Sequence, residues 1–218
     1  MTIHGPGYNR DARVVAFCDF NGTIVDRDIL DYLASMTRGY SENAPLPLER
    51  EYRGDIARRA RALSFDRDEA ERRLEAGIRF DDSFPDFSRA CADAGVALVV
   101  LTSGIQELVE RYLARRGVNL PVVGNSAEFR SDGWRIHFRD DSLAGIDKKS
   151  FVESARREGR LTVVLGDDRS DFEAALHADV VYAKTGSELQ RYLASQQRRF
   201  HAFGRFEEIL ERWPPSTW

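Results

Sequence analysis

The chain has 218 residues, 42% hydrophobic and 31% charged, which suits one packed domain, or one domain with a modest insertion. A formal net charge of −4, with arginines spread among acids, argues against nucleic acid as a partner. No signal peptide is legible and no apolar run is long enough to span a bilayer, so a cytoplasmic protein without membrane contact is expected.

In chain order, residues 1–12 are polar, contain Gly5, Pro6 and Gly7, and predict a flexible tail. Val14, Val15, Ala16 and Phe17 form the first continuous apolar run. From about residue 29 to 84 no convincing strand follows. Residues 30–36, 48–63 and 68–78 read as helices rich in Arg and Glu, with a break at Ala44, Pro45, Leu46 and Pro47. Further apolar runs span residues 96–101, 161–165 and 180–182. Continuous rather than alternating apolarity suits strands buried on both faces, as in a parallel sheet. Helical spacing lies between these runs: residues 105–116 carry Leu108, Val109, Tyr112 and Leu113, and residues 151–157 and 187–193 are similar.

Residues 125–141 interrupt the alternation a second time, where Phe129 and the stretch 134–138 flank a hairpin-turn signal, Ser131, Asp132 and Gly133. Residues 206–213 predict an amphipathic helix that closes the core or lines a dimer contact, so both monomer and homodimer stay open. The expected fold is α/β: a Rossmann-like, doubly wound parallel sheet formed by residues 13–28 and 85–213, with a helical insertion at 29–84 and a small β-hairpin. Cys18 and Cys91 read as small buried hydrophobes. Neither they nor His137, His177 and His201 have metal-ligand spacing.

In such a sheet, ligands bind at the carboxyl ends of the strands. After the first run come Asp19, Phe20, Asn21, Gly22 and Thr23; after the second, Thr102, Ser103 and Gly104; after the third, Gly166, Asp167, Asp168, Arg169, Ser170 and Asp171. Asp147, Lys148 and Lys149 open the helix before that third run. Each group has a plain structural reading. Asp19 can cap a turn, Thr102 and Ser103 a helix near Ile105, and the acids at 167, 168 and 171 the helix through Phe172. The two lysines can be a solvated helix start. Together they gather acids, hydroxyls and a lysine on one edge of the sheet. Three acids within five residues repel one another unless a cation is present, and a hard, oxygen-liganded ion such as magnesium relieves that.

The combination resembles the haloacid dehalogenase superfamily of phosphohydrolases. Its motifs are Asp-x-Asp-Gly-Thr, a Thr or Ser after a strand, a Lys, and Gly-Asp-x-x-x-Asp. The position of residues 29–84 is similar to the helical cap of the phosphoserine-phosphatase-like branch. The stretch Asn125, Ser126, Ala127, Glu128 and Phe129 with its hairpin resembles the methionine-salvage enolphosphate (2-hydroxy-3-keto-5-methylthiopentenyl-1-phosphate) phosphatases. The resemblance implies a hydrolase of small phosphorylated metabolites in which Asp19 attacks phosphorus and becomes an aspartyl-phosphate. It implies Mg2+ held by Asp19, the Asn21 carbonyl, Asp167 and, in or just behind that shell, Asp171. It implies a phosphate cradle from Thr102, Ser103, Lys148 and the backbone N–H groups around Gly22, with Lys149 the lysine if the register is shifted by one.

One residue departs from the pattern. Asn21 stands where the family has the aspartic acid that protonates the leaving oxygen and later activates water. That assistance is typically worth ~10²–10⁴-fold, and an amide cannot supply it. Three explanations are open: a deliberate Asp→Asn change that traps a ligand; a natural enzyme with a good leaving group or another base, for which Asp26, Asp28 and Asp168 are candidates; or a protein that binds a phosphorylated ligand or partner without turnover. The insertion offers Tyr32, Tyr52, Arg53, Arg58 and Arg59 toward a substrate, with Tyr52 and Arg53 preferred. Phosphoacceptor aspartates also occur on α/β receiver domains, but the long helical insertion argues against one.

Overall fold

A computed structural model describes residues 3, 9–37, 52–130 and 132–214. The Pro-containing break at 44–47, the beginning of the helix expected from 48, most of residues 1–8 and Ser131 lie outside them. Seven strands form one sheet: β1 (Val14–Cys18), β2 (Val96–Ile105), β3 (Val122–Arg130), β4 (Gly133–His137), β5 (Leu161–Gly166), β6 (Val180–Lys184) and β7 (His201–Phe203). Their spatial order is β4-β3-β2-β1-β5-β6-β7. All neighbours are parallel except β3 and β4. The helices are α1 (Ile29–Ser35), α2 (Tyr52–Ala62), α3 (Arg67–Gly77), α4 (Phe84–Asp93), α5 (Gln106–Ala114), α6 (Lys148–Arg157), α7 (Phe172–His177), α8 (Glu188–Ser195) and α9 (Glu207–Leu210).

The continuous apolar runs are strands with two buried faces. From β1, Ala16 and Cys18 enter one core cluster while Val15 and Phe17 enter the other. Along β2, Leu98 and Val100 face the first cluster and Ala97, Val99 and Leu101 the second. A period of two with apolar residues at every position therefore fixes a central strand covered on both sides. Ile3 and Ala12, from the stretch expected to be a loose tail, are buried in the second cluster.

Four features differ from the sequence expectation. β2 runs on past Leu101 through Thr102, Ser103 and Gly104, and Ile105 occupies the N-cap of α5 with no side-chain cap bond. Thr102 and Ser103 are thus strand residues rather than caps. The stretch from 125 is not a separate interruption: β3 pairs in parallel with β2 at Val122 and Val123, then continues from Ser126 as an antiparallel partner of β4. β7 and α4 complete the sheet edge and the layer above it without having been expected. The terminal helix is only four residues long, because Phe206, Ile209 and Trp213 reach the core cluster without a longer helix.

Among the described residues three helices lie between β1 and α4, and α1 and α3 carry side-chain N-caps. Asp28 accepts from the Asp31 amide at the start of α1, and Asp66 from the Glu69 amide at the start of α3. Buried Glu71 on α3 pairs with Arg111 and Arg115 of α5. Trp134 Nε1 of the hairpin donates to the Phe65 carbonyl at 2.9 Å. The insertion is thereby seated on β4 and α5 rather than hanging from its two connections. Among the described residues no helix is long and apolar enough to cross a membrane.

Within the same core cluster, α4 is held by aromatic packing. Phe87 is fully buried against Phe206 at 5.1 Å and Trp213 at 4.7 Å between ring centroids. Phe87→Ala should destabilise the protein by ~3–5 kcal/mol, the usual range for a buried aromatic truncated in a core, read as a shift of the urea unfolding midpoint.

Candidate active site

The Asp19 amide donates to the Leu165 carbonyl at 2.8 Å, extending the β1–β5 ladder by one step. This fixes Asp19 at the carboxyl end of the central strand, buried at 4% exposure. The chain then turns, with the Ile24 and Val25 amides both donating to the Phe20 carbonyl. Gly22 sits at φ +76°, and a Cβ there would lie 2.1 Å from Asp167 Oδ2. Only glycine lets the loop pass that close beneath the carboxylate. Thr23 Oγ1 donates to Asp167 Oδ1 at 3.0 Å and completes the attachment.

Lys148 begins α6 on the same stripe as Phe151, Val152 and Ala155, all of them buried. That i, i+3, i+4, i+7 spacing points its side chain inward. Its Nζ donates to Asp19 Oδ1 at 2.6 Å and to Asp171 Oδ1 at 2.8 Å. Lys149 falls outside the stripe and lies near Glu153 and Glu173 at the surface. Asp171 Oδ2 accepts from the Asp167 amide at 3.0 Å, while Asp168 caps the 3-10 turn 169–171. Thr102 is fully buried, and its Oγ1 accepts from the Gly104 amide at 3.0 Å. A Cβ on Gly104 would lie 3.2 Å from Thr102 Oγ1 and 3.5 Å from Asn21 Nδ2, so that hydroxyl and that amide flank one gap. Asp19, Asn21, Gly22, Thr102, Lys148, Asp167 and Asp171 are thus brought together, with half-buried Ser103 next in line.

Asp19, Asp167 and Asp171 each offer a carboxylate oxygen within 4.8 Å of the others. An all-oxygen, three-carboxylate set matches a hard divalent ion such as magnesium. The electrostatics point the same way. Burial raises Asp19 well above the usual carboxylate range; Lys148 opposes this, and Asp171 and Asp167 add to it. Asp167 is pushed up to about 8 by burial and by Asp171 and Asp168. Asp171 is raised by burial, against the pull of Lys148. For Lys148, burial alone favours the neutral amine, but Asp171 and Asp19 outweigh it and hold the ammonium charged. The site has more negative charge than its one lysine balances.

Side chains from α1 and α2, and Asp28 ahead of them, lie beside this cluster. Asn21 Oδ1 accepts from the Ile29 amide and Asn21 Nδ2 donates to Asp28 Oδ2, both at 3.2 Å. Arg59, on the buried stripe of α2, lies 3.4 Å from Asp28, 3.8 Å from Asp31 and 3.0 Å from Asp55. The Tyr52 hydroxyl is kept protonated by burial and by the nearby Asp168 and Asp28 charges. Arg53 is not part of this group: it pairs with Asp141 at 3.1 Å and covers the Phe138 ring. Sequence reasoning favoured Arg53 over Arg59, although the Ile56, Arg59, Ala60 stripe is the readable signal for the inward arginine. It also passed over Lys184, whose Nζ donates to the Thr23 carbonyl at 3.0 Å and supports the turn from below. A cavity of about 390 Å³ lined by Thr23, Asp26, Arg79, Asp81, Lys184 and Arg205 borders that turn but does not reach Asp19 or Lys148. Its cations are already matched by its acids.

The family model for haloacid dehalogenase-like hydrolases matches residues 16–176. The chain belongs to that family. It is 26% identical over 221 residues to the polyol phosphate phosphatase PYP1 of Saccharomyces cerevisiae, covering 91% of each protein. It is 24% identical over 185 residues to the 2-hydroxy-3-keto-5-methylthiopentenyl-1-phosphate phosphatase of Lysinibacillus sphaericus, covering 78% of this chain and 81% of that one. The fold matches a phosphoserine phosphatase solved in the apo form, with a TM-score of 0.69 at 16% identity over 92% of this chain and 98% of the other. These proteins are phosphatases, and this chain is a phosphatase of the same family.

The raised carboxylates give a signed expectation. In the metal-free protein the folded state binds protons on Asp167 that the unfolded chain releases, from the unfolded carboxylate range near pH 4 up to about 8. Stability therefore falls as pH rises through that window, and a cation that neutralises the acids reverses the loss. Thermal melts with EDTA and with excess Mg2+ should show a stabilising shift that is small at pH 5 and grows toward pH 8. A shift independent of pH would count against these three acids as the metal site.

Proposed function

We propose that this chain is a magnesium-dependent phosphomonoesterase that transfers the phosphoryl group of a small metabolite to Asp19 and then to water. The observation that carries the reading is Lys148 buried between Asp19 and Asp171, with Asp167 and Thr102 alongside. In this reading an Asp19 oxygen attacks phosphorus, the ester P–O bond breaks toward the leaving oxygen, and water later displaces phosphate from the acyl phosphate. Lys148 and the Thr102 hydroxyl bind phosphoryl oxygens, and the Gly22 turn leaves the backbone close enough to join them. Asp19, Asp167, the Asn21 carbonyl and, in or just behind that shell, Asp171 would hold magnesium, which would supply the charge that lets an anionic nucleophile approach an anionic ester.

The side chains that α1 and α2 bring beside the cluster support an uncharged leaving group. Arg59 is engaged by three carboxylates, so it offers little net positive charge to a substrate carboxylate. Asp28, Asp168 and the neutral Tyr52 hydroxyl suit hydrogen bonds from hydroxyls. A polyol or sugar phosphate fits better than a phosphoamino acid, in keeping with the polyol phosphate phosphatase relative. kcat/KM for glycerol phosphate or a longer polyol phosphate should exceed that for phosphoserine by about tenfold or more, equivalent to ~1.4 kcal/mol. A preference for phosphoserine would sink the leaving-group assignment.

Asn21 favours a second reading, a slow enzyme that retains its phosphorylated ligand. Its amide occupies the general acid–base position and is held there by Ile29 and Asp28. Asn21→Asp should raise turnover of alkyl phosphates by ~10²-fold or more, with less effect on aryl phosphates, whose leaving groups need little protonation. Asp19→Asn should abolish both activities. Unchanged turnover in Asn21→Asp alongside an inactive Asp19→Asn would show that position 21 has no proton-transfer role.

A further inference from the structure

Asn125 is the one fully buried asparagine among the described residues, and no step above uses it. It sits in β3 where the strand stops following β2 and begins to pair with β4. Its amide is satisfied from three directions. Nδ2 donates to the Ser103 carbonyl at 2.8 Å and to the Ala144 carbonyl at 2.9 Å, and Oδ1 accepts from the Arg139 amide at 3.2 Å. Neither amide end can be exchanged for the other, because two carbonyls need donors and one N–H needs an acceptor. No side chain other than Asn or Gln offers two N–H donors together with an acceptor, and Gln is one methylene longer.

The partners matter more than the bonds. Ser103 lies next to Thr102 at the end of β2, whereas Ala144 lies four residues before Lys148 in the loop that delivers α6. That loop is otherwise braced mainly within itself: the Asp140 amide donates to the Gly145 carbonyl, and the Asp147 amide to Asp140 Oδ2. Asn125 is thus a direct polar link between the segment carrying Thr102 and the segment carrying Lys148. It makes no bond to the β1 or β5 ends, where Asp19 and Asp167 are anchored.

We propose that Asn125 is a positioning residue that sets the spacing between the two halves of the phosphate site, Thr102 and Ser103 on one side and Lys148 on the other. This rests on the phosphatase reading of the site. A positioning error of about 1 Å can cost ~10²-fold in rate. The effect should fall on phosphate binding and turnover and leave the metal carboxylates in place.

The test uses Asn125→Asp, which keeps the shape but turns a carboxylate toward two carbonyls, and Asn125→Ser, which is smaller and leaves room for a water. Three constants are measured on the full chain: kcat/KM with a generic aryl phosphate, inhibition by inorganic phosphate, and the Mg2+ concentration for half-maximal activity. Circular dichroism checks folding. The expected result is a loss of about tenfold or more in both kcat/KM and phosphate affinity, with the Mg2+ requirement within about twofold of the parent. Equal shifts in phosphate and Mg2+ constants, or a lower melting temperature with unchanged kinetics, would overturn the proposal and make Asn125 a packing residue. So would failure of both variants to fold. A parent protein that neither turns over aryl phosphate nor binds inorganic phosphate would instead refute the phosphatase mechanism itself, a distinguishable outcome.

Discussion

Three carboxylates and one ammonium lie where β1 and β5 end, and the architecture around them is governed by the cost of keeping that charge away from water. Fully ionised, Asp19, Asp167 and Asp171 would bring three negative charges against the one positive charge of Lys148, an excess of two that the metal-free protein relieves by holding protons on its acids. At an effective dielectric near 20, two unit charges 4 Å apart interact by ~4 kcal/mol, so the imbalance is large against the stability of a whole domain. A divalent ion cancels it in full, which no water or hydroxyl does. The neighbouring sequence follows from this. Gly22 removes a side chain where the loop must pass under Asp167, and a Cβ on Gly166 would lie 2.3 Å from Asp171 Oδ2. Backbone amides at 167 and 19 are spent in fixing the acids rather than in ordinary loop contacts.

The parallel sheet is what makes such a cluster available. In a doubly wound sheet the chain leaves β1 for β2 on one side and later returns to β5 on the other, so β1 ends at a switch point with room above it. Asp19 follows the central strand and the Asp167 loop follows its neighbour. Lys148 arrives from the helix that precedes that neighbour, at the same end of the sheet. The helices α1 to α3 follow directly on the Asp19 loop, through Asp28 and Ile29, and are pinned at their far side by Glu71 and Trp134. Tyr52 in the first turn of α2 and Arg59 in its last both stand near Asp28.

The acids at strand ends were legible in the sequence because each follows directly on an apolar run that must be buried on both faces. Other strands were read only in part: the β3–β4 hairpin was legible from its turn signal, but the parallel start of β3 and the whole of β7 were not. β3 carries only Val122 and Val123 as an apolar signal before turning polar at Asn125, and β7 has three residues. The choice between Lys148 and Lys149 was readable in principle, since Phe151, Val152 and Ala155 define the buried stripe and only 148 lies on it. The same reasoning separates Arg59 from Arg53. What no local pattern carries is the meeting of residues far apart in the chain. Thr23 finds Asp167 across 144 positions, and Asn125 is satisfied by backbone groups from two different segments. Those contacts belong to the assembled sheet, and the residue types alone do not announce them.

Asn21 shows how such contacts compete. Its orientation is forced, because the Ile29 N–H needs an acceptor and the Asp28 carboxylate needs a donor. An aspartate in its place could accept from Ile29 but would set a second carboxylate 3.2 Å from Asp28. Two carboxylates at that separation do not both ionise readily, so one retains a proton to higher pH. A retained proton is what a general acid for the leaving oxygen requires, and it would be obtained by straining the junction between the nucleophile loop and the insertion. The amide resolves the strain with one hydrogen bond in each direction and gives up the proton. Asn21 therefore ties the Asp19 loop to the start of α1, and in the proposed mechanism the amide that secures that joint stands where an acid would protonate the product alcohol.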